Sequence, residues 1–523
     1  MELAPSLQAA ADRWPDRPAI TFQGRTTTYA ELIGQVAAVA ASYRRLGIAA
    51  GDRVICALVD CPEHLVAMNA AWAVGALHVG TDADLTGGEM AWLVERTEAA
   101  AVIIQGRAGA DAAMAAVVAA VRAARPATHV IVLGDGTPEP GTLPFASLTA
   151  GWGQPQLPAP PRAGPDDTAL LLLTSGTTGQ PKAIMESLPH CWAKMQFFAD
   201  AFQPGPDDVH LVYLPVGHVF GLRLALIALL SGGRLVLLDR FSPEEALRLV
   251  AAERVTVLPG MPTHLRLLLD RLDPARHDVT SLRWVISAAA TLPRPVAEQV
   301  YDRLGAEILF VYGCSEGFTT LTTDRDEIRA GSVGRAVFCG PAGTAPAGSV
   351  AIFDLEGRPL PTGQIGEIVF GARQPVHYWR DPDVATDGWY HTGDLGRLDA
   401  DGRLYLEGRL KELLNRGGLK VSPGEIETVL TRHPAVADAA IVATPDPVLG
   451  EAICACVVPN APEGPTLGEV RSYLAQSLAR HKLPDELCLV ERIPRTNIGK
   501  VDRAALTASV VDHDRPRERL RPR

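Results

Sequence analysis

The sequence predicts an α/β protein with a large N-terminal domain of mostly parallel, layered sheets with flanking helices, and a small α+β C-terminal domain. Three observations lead to this class. A chain of 523 residues is long enough for three or four structural units of about 150 residues. Short apolar runs first alternate with helical patterns, and short strands with glycine turns follow after about residue 331. We therefore expect an N-terminal domain at 1–408, with a β-rich subdomain at about 331–408, and a C-terminal domain at 409–523.

The spacing of apolar residues predicts each element of the N-terminal domain. Helical spacing predicts helices at Tyr29–Leu46 and Pro62–Val79, with a buried strand at Arg53–Val59 between them. Further strands are predicted at Leu170–Leu173, Leu211–Leu214, Leu235–Leu238, Val255–Leu258, Trp284–Ile286 and Ile308–Val311. Helices are predicted between them at Pro243–Glu253, Pro262–Leu272 and Pro293–Leu304. Because short apolar strands that alternate with helices are typical of βαβ units, we expect largely parallel sheets covered on both faces.

The rest of the chain has the pattern of a β-rich subdomain followed by an α+β module. Strands are predicted at Gly348–Asp354, Gly366–Phe370, Gly402–Glu407, Ala439–Val442, Ile453–Val458 and Leu487–Glu491. Helices are predicted at Pro423–Thr431 and Leu467–Ala479. Cys454 and Cys456 alternate along one apolar run, so both side chains should lie on one face of a strand. The basic cluster from Arg515 to Arg523 is expected to be a frayed, solvated end.

Composition and charge exclude several classes of protein. The net charge is −11 without long acidic runs, which argues against a broad nucleic-acid surface. Eight cysteines without a CxxC pair indicate neither a disulfide scaffold nor a zinc site. The start of the sequence lacks the basic and apolar regions of a signal peptide, and arginines and glycines interrupt the longest apolar stretch, Leu222–Leu238. We expect a cytoplasmic protein with neither nucleic-acid nor membrane partners.

A loop rich in hydroxyl groups and glycine is the strongest local signal of chemistry. It runs Thr174-Ser175-Gly176-Thr177-Thr178-Gly179-Gln180-Pro181-Lys182 and directly follows a predicted strand. Main-chain N–H groups, hydroxyls and a lysine in such a loop suit a phosphate. The spacing Gly176-x-x-Gly179-x-x-Lys182 is not that of a Walker A loop, so an ordinary P-loop phosphotransferase is not predicted. Taken alone, the loop is also compatible with a surface turn.

Five further motifs follow this loop. They are Tyr312-Gly313-Cys314-Ser315-Glu316, Gly388-Trp389-Tyr390-His391-Thr392-Gly393-Asp394, Gly408-Arg409-Leu410-Lys411-Glu412, Gly417 to Glu427, and Pro494-Arg495-Thr496-Asn497-Ile498-Gly499-Lys500. With the hydroxyl-rich loop, they make the chain resemble the adenylate-forming superfamily of acyl-CoA synthetases, peptide-synthetase adenylation domains and beetle luciferases. The resemblance runs from about residue 10 to 503. It implies an ATP-dependent ligase that converts a carboxylic acid and ATP into acyl-AMP and pyrophosphate.

The resemblance assigns the nucleotide site, and the residue types suit the chemistry. Tyr312 ends a predicted strand where its ring could stack on adenine, although a core tyrosine has the same pattern. Glu316 is expected to hold Mg²⁺, since carboxylates suit hard cations. Asp394 is expected to accept both ribose hydroxyls, and Arg409 to meet ribose or phosphate unless it forms a surface ion pair. The nucleotide-binding residues are predicted to be Thr174, Ser175, Gly176, Thr177, Thr178, Gly179, Lys182, Ala289, Tyr312, Gly313, Ser315, Asp394 and Arg409.

By the same resemblance, Lys500 is the catalytic lysine, which a mobile C-terminal domain delivers to the cleft. A carboxylate that attacks the α-phosphate brings two anions together, and a positioned ammonium group offsets that charge in the transition state. Three places depart from the family pattern, and one of them, Gly371 to Trp379, is only loosely like the usual segment. Ser287 to Leu292 replaces the usual glycine-rich turn before adenine, with Ala289 against the base, and Ser315 replaces a threonine.

The segment Leu214–Leu222 resembles the acid pocket of fatty- and aryl-acid enzymes. It lacks the aspartate that pairs with the ammonium group in amino-acid-activating relatives, so an apolar aliphatic, alicyclic or aromatic acid is predicted. His218 is expected to gate or orient that acid as a catalytic residue, although a core histidine is an alternative. The substrate-binding residues are predicted to be His218, Phe220, Gly260, Met261, Cys314 and Phe318.

The acceptor is less well defined by the sequence. Lys411 has the family's hinge position, and Gly417 and Gly418 would leave room for the incoming acceptor. Coenzyme A is the acceptor of most matching relatives, so we expect it as a co-substrate beside ATP and Mg²⁺. A carrier-protein phosphopantetheine and an amine are the alternatives. A protein that binds nucleotide or acyl groups without catalysis is the alternative from another class.

Overall fold

A computed structural model provides the fold, and all structural statements below concern the residues that it describes. The side chains of Asp111, Thr174, Phe318, residues 337–339 and Lys420 are not among the described parts. The described residues are 3–106, 111–134, 139–150, 168–174, 182–288, 290–316, 318–339, 350–371, 377–380, 389–417, 419–495, 501–511 and 517–519.

The chain from residue 3 to residue 174 alternates helices with strands. The elements are α1 (Leu7–Arg13), β1 (Pro18–Phe22), β2 (Arg25–Thr28), α2 (Tyr29–Arg45), β3 (Arg53–Ala57), α3 (Pro62–Ala73), β4 (Leu77–Thr81), α4 (Gly87–Thr97), β5 (Ala101–Gln105), α5 (Asp111–Ala124), β6 (His129–Leu133), β7 (Leu143–Pro144), α6 (Phe145–Thr149) and β8 (Thr168–Thr174). The predicted helix Pro62–Val79 is wrong in its last part. Gly75 has φ +78°, which ends the helix, and Leu77 begins the parallel strand β4 beside β3.

The next part of the chain continues the alternation. Its elements are β9 (Lys182–Ser187), α7 (Leu188–Phe202), β10 (Val209–Val212), α8 (Val219–Leu230), β11 (Arg234–Leu237), α9 (Pro243–Glu253), β12 (Val257–Pro259), α10 (Pro262–Arg271), β13 (Trp284–Ser287), α11 (Arg294–Gln299), a π-helical turn (Val300–Leu304), β14 (Glu307–Cys314), β15 (Phe318–Thr322), α12 (Arg325–Ala330) and β16 (Arg335–Cys339). Helix α9 has its predicted bounds, because Ser242 caps its first turn and Arg254 leaves it with φ +53°.

The remaining elements form two smaller sheets with their helices. They are β17 (Val350–Phe353), β18 (Gly366–Gly371), β19 (Trp389–Leu398), β20 (Leu404–Arg409), a 3-10 turn (Leu410–Glu412), β21 (Leu414–Arg416), β22 (Leu419–Val421), α13 (Pro423–Leu430), β23 (Val436–Asp446), β24 (Gly450–Pro459), α14 (Leu467–Leu474), a 3-10 turn (Arg480–Lys482), β25 (Glu486–Leu489), α15 (Arg503–Val511) and β26 (Glu518–Arg519).

Two large sheets form the N-terminal part. Within the described residues, the first has the order β7-β6-β5-β3-β4-β8-β9 and is parallel up to β8, on which β9 pairs antiparallel. The second has the order β16-β15-β14-β13-β12-β10-β11-β1-β2, and its six strands from β14 to β1 are parallel. The crossover helices cover these sheets. The predicted class of layered, mostly parallel sheets is confirmed.

The two smaller sheets are largely antiparallel. The third has the order β17-β18-β19-β20, and the fourth has β22-β21-β24-β25-β26 with β23 paired on β24. The fourth sheet belongs to the small C-terminal domain. Cys454 and Cys456 of β24 are both buried in one cluster with Cys488 of β25, which confirms the prediction that they share one face.

The end of the chain differs from its prediction. Arg517 and Arg519 pair with the carboxylate of Glu486, which is only 4% exposed, and β26 adds to the edge of the fourth sheet through β25. The expected frayed end is therefore wrong for these two arginines, because a buried carboxylate needs cationic partners. None of the helices within the described residues combines the length and the apolar character needed to cross a bilayer.

Candidate functional site

The predicted site residues lie where parallel strands end. The segment from Leu214 follows β10, Gly260 follows β12, and Ser315 follows β14, and Asp82, to which the sequence analysis gave no role, follows β4. All four strands end at the carboxyl edge of a parallel sheet, which is where ligands of open α/β sheets bind. The contacts described below join the edges of the two large sheets and the third sheet.

Tyr312, Asp394 and Arg409 form one connected group. The phenol of Tyr312 donates a hydrogen bond of 2.8 Å to Oδ2 of Asp394, and Nε of Arg409 lies 2.9 Å from Oδ1. Asp394 and Arg409 are register partners in β19 and β20, so the third sheet holds both against the end of β14. Burial, aided by the Asp394 carboxylate, raises the pKa of Tyr312 well above 10, so its phenol is a neutral donor.

Glu316 lies among two tyrosines. Its Oε1 accepts a hydrogen bond of 3.3 Å from the Tyr378 phenol, whose oxygen lies 3.4 Å from that of Tyr390. The Lys182 ammonium lies 5.1 Å from the centre of the Tyr378 ring, a cation–π distance. Tyr378 reaches this position because its segment pairs with β9, where it is the bridge partner of Ile184. Glu316 and Lys182, which the sequence predicted at separate phosphate-side positions, therefore share one neighbour.

A buried group of three charges supports the Ser315 segment. Nζ of Lys194 lies 2.7 Å from Glu186 and 3.5 Å from the carbonyl oxygen of Ser315, and Arg223 binds both carboxylate oxygens of Glu186. The side chains of Glu186 and Lys194 are only 2% exposed. Burial raises the pKa of Glu186, but Lys194 and Arg223 outweigh that effect and lower it to about 2. The group links β9, α7 and α8 to the turn after β14.

The segment from Leu214 packs tightly on the end of the first sheet. The buried carboxylate of Asp60 accepts a hydrogen bond of 2.7 Å from the backbone N–H of Val216. A Cβ atom on Gly80 would lie 2.6 Å from the carbonyl oxygen of Gly217, so only glycine permits this approach. The two large sheets are therefore in backbone contact beside the predicted acid pocket.

His218 begins helix α8 and faces the first sheet. Its Nε2 lies 3.1 Å from Oδ1 of Asp82, and both side chains are partly exposed, at 33% and 42%. The hydrogen bond to His218 lowers the pKa of Asp82. His218 is not a core histidine, because its side chain is partly exposed to solvent.

The other predicted pocket residues lie on strands of the second sheet or on the segments that connect its strands. Gly260 and Met261 are buried between β12 and α10, and a Cβ atom on Gly260 would lie 3.1 Å from the Tyr213 phenol. Phe220 is half-buried on α8, and Cys314 is half-buried at the end of β14. Phe318 is the register partner of Cys314.

The predicted hinge and acceptor residues lie beside the fourth sheet. Lys411 is exposed in the 3-10 turn that follows Arg409. Gly417 has φ +58° and donates its N–H to the carbonyl oxygen of Leu449. Arg503 holds the 3-10 turn in place, because its guanidinium group binds Glu412 of that turn and Glu427 of α13.

Several predicted site residues lie outside the described residues. They are Ser175, Gly176, Thr177, Thr178, Gly179, Ala289, Gly418 and Lys500. Thr174 is the register partner of Lys182 across β8 and β9, so both ends of the hydroxyl-rich loop are in place. Gly313 lies in β14 between Tyr312 and Cys314.

Sequence reasoning assigned no role to Tyr378, Tyr390, Glu186, Lys194 or Arg223. Tyr390 belongs to the motif that ends at Asp394, but the sequence does not show that its phenol lies beside that of Tyr378. Glu186 lies on a strand and Lys194 on the following helix, eight residues apart. Charged residues within apolar patterns are the one sequence feature that could have indicated a buried ion pair.

The fold, the mutual contacts of Tyr312, Asp394 and Arg409, and the hydroxyl-rich sequence that follows β8 together define a nucleotide-binding enzyme of the adenylate-forming class. The comparisons with known proteins agree. The family model "AMP-binding enzyme" matches residues 7–376, and the model "AMP-binding enzyme C-terminal domain" matches residues 425–500. The chain belongs to the AMP-binding enzyme family, and it is an AMP-forming carboxylic acid ligase.

Similar proteins cover nearly the whole chain. Triostin synthetase I of Streptomyces triostinicus is 33% identical over 97% of this chain and 94% of the relative. A salicylyl-CoA synthase / salicylate adenylyltransferase of a Streptomyces species is 31% identical over 96% of this chain and 92% of the relative. The solved structure of the amide bond synthetase McbA from Marinactinospora thermotolerans has a TM-score of 0.83 at 27% identity and covers 97% of this chain and 99% of that one.

Proposed function

We propose that this enzyme adenylates an apolar aliphatic, alicyclic or aromatic acid with ATP and then transfers the acyl group to the thiol of coenzyme A. The observation that carries the nucleotide part is the connected group of Tyr312, Asp394 and Arg409. In this proposal the Tyr312 ring stacks on adenine, Asp394 accepts the ribose hydroxyls, and Arg409 contacts ribose or phosphate. A carboxylate has about four acceptor positions, so Asp394 can keep its two present partners while it binds ribose.

The phosphates would lie between the hydroxyl-rich loop and Glu316. Residues 174–182 supply N–H groups, hydroxyls and the Lys182 ammonium, and Glu316 supplies a carboxylate. Mg²⁺ prefers oxygen ligands and usually binds one or two carboxylates together with substrate phosphates. The Glu316 carboxylate and the neighbouring phenol of Tyr378 are oxygen donors, so the residues present fit this ion. Bound there, Mg²⁺ would neutralise phosphate charge.

The acid would bind beside the segment that begins at Leu214. The proposal of an apolar acid is supported by the half-buried Phe220 and by buried Met261. His218 lies at the junction of this segment with β4, where Asp82 orients its imidazole. From that position His218 would orient the acid carboxylate at the entrance of the pocket.

The acceptor is proposed from the relatives and from the sequence around Gly417. One relative is named a CoA synthase, which supports coenzyme A. The likeness to an amide bond synthetase supports an amine as the second candidate, and a carrier-protein phosphopantetheine is the third. Gly417, whose φ of +58° favours glycine, leaves this turn without a side chain, as close approach of an acceptor requires.

The C-terminal domain, which we place at residues 409–523, would carry Lys500 to the bound ATP and acid. Lys500 would then offset the charge that develops as the acid carboxylate attacks the α-phosphate. Lys411 lies in the turn between β20 and β21, where a change of backbone angles would reorient the domain. The C-terminal domain would close once for adenylation and close again in a second orientation for acyl transfer, so that both half-reactions use the same site.

An acid panel with three acceptors tests this proposal. Pyrophosphate release should depend on an apolar acid, AMP should be the nucleotide product, and mass analysis of the acyl product should show the thioester of coenzyme A. Lys500→Ala should lower the adenylation rate at least 100-fold. Arg492→Ala, which removes an exposed cation eight positions earlier in the sequence, should leave the rate unchanged. ATP binding without AMP formation across the panel would favour a non-catalytic binder, and ADP release would contradict adenylation.

A further inference from the structure

Three potential metal ligands meet in the core of the first sheet. Cys56 lies on β3, His78 lies on β4, and His64 lies on the helix α3 that joins these strands. His78 is the register partner of Val54, so Cys56, two residues further along β3, points to the same face of the sheet. One ligand atom from each of the three side chains lies within 4.8 Å of the other two. The parallel pairing of β3 with β4 and the helix α3 that connects them bring the three side chains together.

The two imidazoles of this group have unmet bonding capacity. His64 and His78 are 0% and 1% exposed, and neither ring nitrogen of either residue has a hydrogen-bond partner within the described residues. The ring centres are 5.5 Å apart at an angle of 56°. A buried polar atom without a partner is costly, and native proteins rarely retain four together.

A cation bound between the three side chains would use two of these nitrogens. Thiolate sulfur selects soft ions such as Cu⁺ and Zn²⁺, and neutral imidazole binds both. Structural Zn²⁺ almost always has four ligands, and only three are within reach among the described residues. One thiolate, two neutral imidazoles and Cu⁺ form a complex with no net charge, whereas Zn²⁺ would leave a buried positive charge, which an apolar site disfavours.

We propose that Cys56, His64 and His78 form a three-coordinate site for Cu⁺. On binding, the Cys56 thiol releases its proton to solvent, a sulfur–copper bond and two nitrogen–copper bonds form, and the copper keeps its oxidation state. Metal–ligand bonds of about 2.0–2.3 Å hold ligand atoms roughly 3.5–4 Å apart, so the side chains would close by up to about 1 Å. None of the three residues has a role in the proposed adenylation, and hard Mg²⁺ would not choose this ligand set.

An anaerobic titration of the full-length protein with Cu⁺ tests the site. With a chromogenic Cu⁺ chelator as competitor, the wild type should retain one equivalent of copper, and the midpoint of thermal unfolding should rise, since the ion binds only the folded state. Cys56→Ala and His64→Leu should each weaken binding at least 100-fold. Cys488→Ala removes another buried thiol and should leave binding unchanged.

X-ray absorption spectroscopy at the copper edge of the Cu⁺-loaded wild type identifies the ligands without any variant. One sulfur and two nitrogen ligands are expected. Failure of the wild type to retain copper, retention that Cys56→Ala does not weaken, or tighter binding of Zn²⁺ than of Cu⁺ would each overturn the proposal. If a variant does not fold, the ligand set of the wild type decides the question.

Discussion

The phenol of Tyr312 donates a 2.8 Å hydrogen bond to Asp394, a residue 82 positions further along the chain. Tyr312 lies in β14 of the second sheet, two residues before the end of that strand, and Asp394 lies in β19 of the third sheet. This bond joins the proposed adenine-binding ring to the proposed ribose-binding carboxylate. The two groups that would hold one nucleoside are thus already oriented by each other.

Asp394→Asn should therefore raise the KM for ATP. The change removes the negative charge that Arg409 and the ribose hydroxyls need, and a hydrogen bond to a charged group contributes about 1.5–3 kcal/mol, or roughly 10- to 150-fold. Tyr312→Phe keeps the ring and should have a smaller effect. Steady-state kinetics with ATP as the varied substrate measures both. Asp401→Asn, in an exposed turn, is the control, and equal effects of all three changes would contradict the assignment.

Lys194→Met tests whether the buried charges position Glu316. Glu186, Lys194 and Arg223 together carry one net positive charge, and removing Lys194 leaves a neutral, paired Glu186–Arg223 unit. The free energy of unfolding should therefore change little, by about 1 kcal/mol. The Ser315 carbonyl loses its ammonium partner, so the Mg²⁺ concentration for half-maximal activity should rise about tenfold.

The Mg²⁺ titration of Lys194→Met needs a matched lysine removal. Lys482→Met breaks the pair of Lys482 with Glu425 in the C-terminal domain and should not change the Mg²⁺ requirement. If Lys194→Met unfolds the protein without changing the Mg²⁺ requirement of the folded fraction, the residue is structural only.

Two glycine substitutions should have opposite effects on stability. A Cβ atom on Gly221 would overlap the carbonyl oxygen of Leu214 and lie 2.5 Å from that of Pro215, so Gly221→Ala should destabilise the protein by roughly 1–3 kcal/mol. It should also raise the KM for the acid, because α8 carries His218 at its start. Gly88 on α4 has open space around its Cβ position, and Gly88→Ala should stabilise by up to about 1 kcal/mol. Urea unfolding measures both changes.

Removal of the Arg503 side chain should destabilise the protein. It binds Glu412, Glu427 and the carbonyl oxygen of Ile441, and these bonds raise its pKa despite burial. Arg503→Met leaves two carboxylates unpaired and should cost roughly 2–4 kcal/mol, less than a fully buried pair because the side chain is 23% exposed.

Chemical denaturation of the full chain measures the effect of Arg503→Met. Arg358→Met removes an arginine whose side chain is 71% exposed and should cost less than about 1 kcal/mol. Losses of equal size would show that Arg503 does not organise the turn at Leu410–Glu412.

Asp60 should make stability depend on pH. Burial raises its pKa to about 7, against the opposing hydrogen bond from Val216, whereas the unfolded value is about 3.9. The folded state thus favours the protonated acid. Its stabilising contribution is complete below about pH 4 and is lost as the pH rises to 7, at up to about 1.4 kcal/mol per pH unit.

Asp60→Asn isolates this contribution, since the amide keeps an oxygen for the Val216 N–H and carries no charge. The free energy of unfolding of the variant, relative to the wild type, should grow between pH 4 and 7 and then level off. A difference that stays constant over this range would contradict the shifted pKa.

The local parts of the fold could be predicted because short-range physics fixes them. Helix Pro243–Glu253 has a serine cap, a proline in its first turn and a regular apolar face, and its bounds match. Where local signals compete, the prediction is wrong: apolar residues continue past Gly75, and the helical pattern therefore extends over the strand that begins at Leu77. The length of an apolar pattern alone does not separate these two structures.

The family, the alternation of strands and helices, and the order of the nucleotide motifs could be predicted from the amino-acid sequence, because each depends on residues close together in the chain. The folded chain was needed to show that Asp394 contacts Tyr312, that Lys194 contacts Ser315, and that Cys56 lies beside two histidines. These contacts depend on which strands become neighbours and in which register. The whole core decides that pairing, and no single segment encodes it.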